Sequence, residues 1–474
     1  MARRGRAGRV VVALTLTLVL AAGGYVAADA YDVAPGVLTL DPVAEPPEPF
    51  PTAPGAVPAP DPTTTLDQLD PAAPVPGAAQ VQALADALVA DPRMGGSTGV
   101  VVADVLTGQV LADADGERPR VPASTAKLLT ALAAMTALGP ERTLPTTVVQ
   151  PEPGRIVLVG GGDMMLSAGT GAPGEANGHA GLVDLAAQTA RALKLVGTTE
   201  VVLGVDDTLF SGPSVNPGWK PGDVNAGYVA AVAPLGINVA KTREAPYPPR
   251  FADPALQTAQ TFATVLAEQG ITVTGAVGRA SGAGALEIGR VESAPLREVV
   301  RYALHQSDNT ITEVLGRLVA VEHGLPGSFE GATTAVLAEA ASAGIGTTGA
   351  VLADCSGLAT GSALPASLLA DLLLLATDAA HTELLPVVLD LPIAGWQGTL
   401  AERFETGPAQ GLVRAKTGSL PNVTSLAGTV QTQDGRLLVF AVIAEATPVG
   451  GQITPRATID GFVQQLAACG CAVP

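Results

Sequence analysis

The first residues able to do chemistry together are a serine and a lysine three positions apart, Ser124 and Lys127. They begin a segment, 122–139, whose apolar residues recur at helical spacing, so both side chains lie on one face. A serine hydroxyl becomes a good nucleophile when a base removes its proton, and a lysine whose pKa is lowered by burial is such a base. N–H groups at a helix start also stabilise an oxyanion. The pair predicts nucleophilic catalysis, with a helix-capping serine and a surface lysine as the alternative.

A second polar group, Ser307-Asp308-Asn309, separates two segments of helical pattern, 295–304 and 310–323. A hydroxyl and an amide at such a place can relay a proton to a leaving group and hold a substrate amide. The same residue types are favoured in turns and at helix N-termini, which is the alternative interpretation. The group is therefore a candidate for catalysis only in combination with other motifs.

A third group, Lys416-Thr417-Gly418, ends a predicted strand and leads into Ser419. The lysine charge and the threonine hydroxyl suit a substrate carboxylate. The glycine is expected to leave room for a peptide that lies along an edge strand and pairs with it. Taken alone, a loop lysine is the simpler interpretation, but only five lysines occur in the chain and two of them stand in these motifs.

The elements that must position these groups form an α+β pattern. Three consecutive strands are predicted at 411–417, 423–433 and 437–446, followed by a helix at 457–468. With an apolar strand at 99–105, they predict an antiparallel sheet flanked by helices.

The composition divides the chain into several predicted parts. Residues 31–77 are rich in proline, alanine and threonine, which cannot bury a core and prefer extended conformations, so we expect a stiff linker. Between 142 and 288, short strand-like stretches alternate with glycines and prolines, which predicts a strand-rich inserted region. The predicted organisation is an export signal or membrane anchor at 1–30, the linker at 31–77, a main domain at 78–141 and 289–474, and one or more inserted domains at 142–288.

The N-terminal segment predicts export, because four arginines precede an uncharged apolar run at 10–22. Two outcomes stay open. Cleavage at the small-residue site Ala28-Asp29-Ala30 would release a mature protein. Retention of 10–28 would leave a single membrane anchor, since these 19 residues are just long enough to span a bilayer.

The charge balance argues against nucleic acid as a partner. The chain has 26 basic and 44 acidic residues, a net charge of −18, and such a surface repels phosphate backbones. The three cysteines, Cys355, Cys469 and Cys471, are interpreted as small buried residues or as one disulfide with a spare thiol. The four histidines are scattered, so the sequence predicts no metal site.

The three motifs occur in the order and on the elements that serine acyl-transferases of the β-lactam-binding fold require: helix, inter-helix loop and strand. On these motifs the chain resembles the penicillin-recognising family, which contains D,D-peptidases and class A β-lactamases. Ser124 and Ser307 lie 183 residues apart, a larger gap than in class A β-lactamases. The insertion that fills this gap looks like that of the low-molecular-mass class C penicillin-binding proteins, the penicillin-binding protein 4 type. Further matching segments cover most of residues 78–470: 122–128, 158–163 (with Met164 where the family usually has proline), 307–311, 354–358 and 416–419.

The resemblance implies a β-lactamase/DD-peptidase-like domain and a serine D-alanyl-D-alanine carboxypeptidase/endopeptidase. Such an enzyme cleaves peptidoglycan stem peptides through an acyl-enzyme and is acylated by β-lactams. Its catalytic residues would be Ser124 as the nucleophile, Lys127 as the base, and Ser307 with Lys416 as the relay to the departing amine. No metal or other cofactor is implied, and the protein is expected to be exported and associated with the cell wall.

The resemblance also implies the residues that bind the substrate. Asn309 would hold a peptide amide, and Thr417 with Lys416 would bind the terminal carboxylate. Gly418 would lie beside the peptide, and the backbone N–H of Ser419 would share the oxyanion with that of the nucleophile.

Two other functions stay open at this point. One is a β-lactamase or esterase on the same fold, although no Glu-x-x-Leu-Asn segment follows Asn309 to supply the lactamase deacylation base. The other is a non-catalytic peptidoglycan-binding protein, which would place no demand on the three motifs. A catalytic triad through His305 would need an acid partner and a different nucleophile context.

Overall fold

The computed structural model describes residues 21–29, 69–449 and 451–469. The chain forms two compact units, residues 1–67 and 68–474. Within the first unit, residues 21–29 are helical. The remainder of the predicted export segment and most of the predicted linker lie outside the described residues. The second unit carries all three motifs.

The second unit contains both helices and strands, which often follow one another in runs of one kind. The strands are Ser97–Asp104 (β1), Val110–Ala114 (β2), Pro145–Glu152 (β3), Arg155–Gly160 (β4), Asp163–Leu166 (β5), Glu200–Asp206 (β6), Leu235–Ile237 (β7), Thr272–Val273 (β8), Gly278–Arg279 (β9), Leu286–Glu292 (β10), Val413–Leu420 (β11), Val423–Gln431 (β12) and Leu437–Glu445 (β13). The helices are Ala78–Ala90 (α1), Lys127–Leu138 (α2), Leu182–Leu195 (α3), Pro221–Asn225 (α4), Pro254–Glu268 (α5), Leu296–His305 (α6), Asn309–Glu322 (α7), Phe329–Ser342 (α8), Ala366–Thr377 (α9), Leu385–Leu389 (α10) and Ile453–Ala467 (α11).

A five-stranded antiparallel sheet in the order β11-β12-β13-β1-β2 forms the centre of the main domain. Every residue of β1 is buried, because helices cover both faces of the sheet. Val100 and Val102 pack in the core with α1 and α11, whereas Val101 and Ala103 belong to the core that contains α2 and α9. The alternation follows from the two-residue period of a strand. The predicted α+β architecture is therefore confirmed.

Residues 145–292 form a second sheet, with β10-β3-β4-β6-β8 as its strand order and β9 beside β6. Strands β3 and β4 are antiparallel, whereas β4, β6 and β8 run parallel. The region also contains helices α3 and α5, which the sequence analysis did not predict. The buried residues of α3 recur at helical spacing, from Leu182 through Leu185 and Ala186 to Leu193. Periodicity could have found it, but the surrounding glycines and prolines suggested strands and turns instead.

The inserted region does not have a hydrophobic core of its own. Buried residues of β3 to β6, α3 and α5 belong to the same cluster as those of α2, α7, α8 and α9. The division at 142 and 288 stays a prediction for this reason.

Two further predictions fall partly outside the described residues. Among the residues that are described, no single helix is long and apolar enough to cross a bilayer; the bent pair Ala366–Thr377 and Thr382–Leu389 reaches that length and composition only together. Most of the predicted anchor at 10–28 is not described. Cys355 and Cys469 are buried, while Cys471 is outside the described residues, so a disulfide stays untested.

Candidate active site

The nucleophile candidate Ser124 lies in a short 3-10 turn, Ala123–Ala126, immediately before α2. The sequence predicted one continuous helix from 122 to 139, and the structure instead tightens its first turn. Ala123 has a positive φ of 49°, a left-handed conformation that is uncommon for a residue other than glycine. The Thr125 hydroxyl donates to the Pro122 carbonyl at 2.7 Å and fixes this turn. Ser124 therefore lies just before the N-terminus of α2, in a turn that one strained residue and one hydrogen bond define.

Lys127 lies beneath Ser124 and is almost completely buried, at 1% exposure. Its Nζ donates to three acceptors: Ser124 Oγ at 2.9 Å, Asn309 Oδ1 at 2.6 Å and the Ser356 carbonyl at 2.7 Å. Burial lowers the pKa of Lys127 to about 8, against the opposing effect of nearby acidic side chains such as Asp354. About one lysine in ten is then neutral at pH 7, so Lys127 can act as a base near neutrality.

Ser307, from the second motif, contacts Lys416 of the third motif. The pair Ser307 Oγ and Lys416 Nζ lies at 2.9 Å, and Ser307 adopts a positive φ of 52°. Asp308, its neighbour, caps α7 by accepting a hydrogen bond from the Ile311 N–H at 2.9 Å. Asp308 therefore has a structural role that the capping interpretation foresaw, while Ser307 and Asn309 face the nucleophile.

Lys416 is fully buried in β11, the edge strand of the main sheet. Its Nζ donates to Ser307 Oγ and to the Thr417 carbonyl at 3.0 Å. Burial, with the positive charge of Lys127 as the second cause, keeps the pKa of Lys416 well below its usual value. Burial thus lowers the pKa of both lysines, and each of them contacts a serine hydroxyl.

Close packing between β11 and the turn that carries Ser124 gives a structural reason for glycine at position 418. A Cβ at this position would meet Ser425 Oγ at 2.0 Å, the Pro122 carbonyl at 2.7 Å and the Ser124 nitrogen at 3.1 Å. Glycine is required here so that β11 can approach the turn that carries Ser124. The predicted role of Gly418 beside a bound peptide stays a prediction.

Thr417 pairs with a residue that sequence reasoning missed, Thr399. The two Oγ1 atoms lie 3.0 Å apart, and both residues line the groove. Thr399 lies in a short 3-10 turn, Gly398–Leu400, after α10, and it belongs to no motif that a single sequence reveals. The two hydroxyls together form a polar subsite beside the strand edge.

A groove of about 830 Å³ opens over these residues. Five of the predicted site residues line it, and the two lysines lie buried beneath it. The inserted region supplies another wall. The predicted residues in the lining are Ser124, Ser307, Asn309, Thr417 and Ser419; the inserted ones include Asp223, Tyr228, Lys241, Tyr247 and Arg250.

A buried acidic loop behind Lys127 completes the site. Asp354 accepts hydrogen bonds from the Gly357 and Ala359 N–H groups, both at 2.7 Å. Glu313, on α7, accepts from the Ser356 N–H at 2.9 Å, and burial raises the pKa of Glu313 to about 8. The loop thereby fixes the Ser356 carbonyl against Lys127. The sequence flagged 354–358 only through the family resemblance, and Glu313 not at all.

Other candidates from the sequence do not join this arrangement. His305 is absent from the described lining of the groove, and burial lowers its pKa, so the structure offers no support for a triad. In the part of the chain that is described, no group of three His, Cys, Asp or Glu side chains could hold a metal ion.

The acylation rate should rise with pH through a midpoint near 8, because only the neutral form of Lys127 can accept the serine proton. Replacing Glu313 with glutamine should move this midpoint to lower pH. The ionised form of Glu313, which is about half populated near pH 8, favours the lysine ammonium. Its removal therefore makes deprotonation of Lys127 easier. Stopped-flow acylation by a fluorescent penicillin between pH 6 and 10 measures both profiles. An unchanged or upward-shifted midpoint in Glu313→Gln would contradict the electrostatic link.

Comparison with known proteins agrees with this geometry. The model of the D-Ala-D-Ala carboxypeptidase 3 (S13) family matches residues 80–246 and 239–468. A carboxypeptidase of Mycobacterium tuberculosis is 38% identical over 441 residues, which is 90% of this chain and 90% of that protein. Carboxypeptidase DacB of Mycolicibacterium smegmatis is 37% identical over 429 residues, covering 88% and 91% of the two chains. The crystal structure of penicillin-binding protein 4 from Haemophilus influenzae shares the fold, with a TM-score of 0.66 and 24% identity over 81% of this chain and 98% of that one.

The fold and the three motifs define a serine acyl-transfer enzyme with the β-lactam-binding architecture. Within that class, the chain belongs to the D-Ala-D-Ala carboxypeptidase 3 (S13) family. The predicted family, fold class and enzyme activity are thus confirmed: this is a D-alanyl-D-alanine carboxypeptidase. Since the family acts on cell-wall peptidoglycan, its site of action is extracytoplasmic.

Proposed function

We propose that Ser124 is the nucleophile of this carboxypeptidase and that Lys127 is its general base. The observation that carries the proposal is the contact of 2.9 Å between Lys127 Nζ and Ser124 Oγ. The lysine is buried and its pKa is lowered to about 8, which is what a base working near neutrality requires.

In the acylation step, Ser124 Oγ attacks the carbonyl between the two terminal D-alanines while Lys127 takes the hydroxyl proton. The backbone N–H groups of Ser124 and Ser419 stabilise the oxyanion. The C–N bond then breaks, and the departing amine receives a proton through Ser307, whose hydroxyl contacts Lys416. Water releases the acyl group from Ser124 in a second step. A β-lactam forms the corresponding ester with Ser124, and this ester is hydrolysed slowly.

Recognition of the substrate is assigned to the edge of β11 and to the second motif. Thr417, with the hydroxyl of Thr399 beside it, binds the terminal carboxylate together with the Lys416 side chain. Asn309 holds a peptide amide, since its Nδ2 carries two hydrogens and only one is used within the protein. The outer edge of β11 beyond Thr417 allows a stem peptide to add as a further strand.

The N-terminal segment is assigned to export, either as a cleaved signal or as a membrane anchor. Its arginines and apolar run support insertion with the N-terminus inside. In the anchored form, the proline-rich residues 31–77 would hold the enzyme away from the bilayer.

Mass spectrometry of the protein from residue 69 onward with benzylpenicillin tests the catalytic assignment. We expect a stable adduct of one penicilloyl group on the peptide that contains Ser124. An adduct on another residue would refute the assignment of Ser124. No adduct with the drug intact would refute the acyl-enzyme and favour a peptidoglycan-binding protein. Rapid hydrolysis of the drug without an adduct would instead indicate a β-lactamase.

A further inference from the structure

The inserted region contacts the catalytic centre directly at Asn309. Asn309 Nδ2 donates to the backbone carbonyl of Tyr228 at 2.9 Å, while its Oδ1 accepts from Lys127 Nζ at 2.6 Å. The Ala230 N–H also donates to the hydroxyl of Thr310, at 2.9 Å. The orientation of the Asn309 amide therefore depends on the backbone around Tyr228 as well as on Lys127.

The peptide group between Gly227 and Tyr228 is held at both ends: its carbonyl accepts from Arg250, and its N–H donates to the Asp223 carbonyl at 3.1 Å. Arg250 Nε donates to the Gly227 carbonyl at 3.1 Å, and its Nη1 donates to the Val239 carbonyl at 2.7 Å. Gly227 has a positive φ of 76°, and a Cβ there would meet the Pro248 carbonyl oxygen at 2.1 Å. Arg250 thus bridges two separate turns, one of which carries the carbonyl that holds Asn309.

The other turn is strained. Asn238, Val239 and Ala240 all have left-handed φ angles, of 46°, 53° and 57°. This conformation is a genuine outlier for the β-branched valine and is energetically unfavourable. Strain of this kind persists only where surrounding contacts determine it. Arg250 supplies one such contact at the wall of the groove.

We propose that Arg250 is a positioning residue for acylation. By joining the carbonyls of Gly227 and Val239, it fixes the Tyr228 carbonyl, which in turn orients the Asn309 amide toward the substrate and Lys127. The inference rests on the function proposed above for Asn309. It assigns to the inserted region a part in catalysis, apart from any part in binding the peptide.

A double-mutant cycle tests the proposal. The variants are Arg250→Met, Asn309→Ala and the two combined, with the rate constant of acylation by a fluorescent penicillin and the melting temperature as readouts. Arg250→Met should slow acylation about tenfold or more, because small displacements of a positioned group are costly. In the Asn309→Ala background, Arg250→Met should slow acylation no further, because the effects of substitutions within one contact network are not additive. Arg279→Met is the matched control: Arg279 lies in the same region but pairs with Asp207 and Asp253.

Equal slowing by Arg250→Met in both backgrounds, or no slowing at all, would overturn the proposal. Should the methionine variant fail to fold, Arg250→Lys replaces it; its single ammonium cannot bridge both carbonyls as the guanidinium does, so a smaller loss with the same non-additivity is expected. Wild-type protein that is not acylated at Ser124 would refute the proposed function and this inference together. Acylated wild type with an additive cycle would refute this inference alone.

Discussion

The Ser124→Ala variant is expected to lose all covalent labelling by penicillin and to release D-alanine on the order of 10⁶-fold more slowly than wild type. The acyl-enzyme needs an oxygen at this position, and the hydroxyl of Ser307, which also lines the groove, is engaged by Lys416 at 2.9 Å. The substitution removes one acceptor from Lys127 but leaves its other two in place. Intact-mass spectra and an assay of D-alanine from a synthetic peptide ending in D-Ala-D-Ala measure the two effects.

A matched control for this variant is Ser342→Ala, on the exposed end of α8. It should be labelled and should turn over like wild type. A penicilloyl adduct that survives in Ser124→Ala, or peptidase activity within tenfold of wild type, would show that another residue is the nucleophile.

The Lys127→Met variant should retain the nucleophile yet acylate about 10⁴-fold more slowly, near the upper range of general-base contributions. Methionine fills a similar volume but cannot take the Ser124 proton. It also leaves Asn309 Oδ1 and the Ser356 carbonyl without their lysine donor, which should cost about 1–3 kcal/mol for each acceptor that stays buried and unsatisfied. Stopped-flow acylation and thermal unfolding together separate the chemical loss from the loss of stability.

Lys194→Met provides the comparison, because Lys194 is exposed at the end of α3 and away from the groove lining. It should match wild type in rate and nearly so in stability. If Lys127→Met acylated at more than about a tenth of the wild-type rate, Lys127 could not be the principal base.

Most strands of the main sheet could be predicted from the local pattern of apolar and turn residues in the sequence. The strand predicted at 423–433 is observed as Val423–Gln431, and the one at 437–446 as Leu437–Glu445. These segments are apolar, sharply bounded by turn residues and buried on both faces, so the strand signal was strong. In the inserted region the signal was weaker: Thr272–Val273 and Gly278–Arg279 are strands of two residues each, with Gly275 at a positive φ between them.

Several residues of the candidate active site could not be predicted from a single sequence. Thr399, Tyr228 and Arg250 lie far from the motifs in sequence and have unremarkable neighbours, yet all three line the groove. Glu313 reads as an ordinary helical glutamate, and only its complete burial beside Lys127 gives it an electrostatic effect. Such residues act through contacts made by folding, which leave no spacing pattern.

The sequence by itself indicated the chemistry of this protein through a serine with a lysine one helical turn away and two further polar motifs in a fixed order. Its N-terminal pattern also predicts export. These features are local, because reactivity depends on residue type and short spacing. The tertiary structure alone decided how the chemistry is tuned. Burial in a shared core lowers the pKa of both motif lysines, a glycine lets β11 reach the nucleophile turn, and the inserted region orients Asn309. Each of these effects depends on desolvation or close contact between segments distant in sequence, which exist only after the chain has folded.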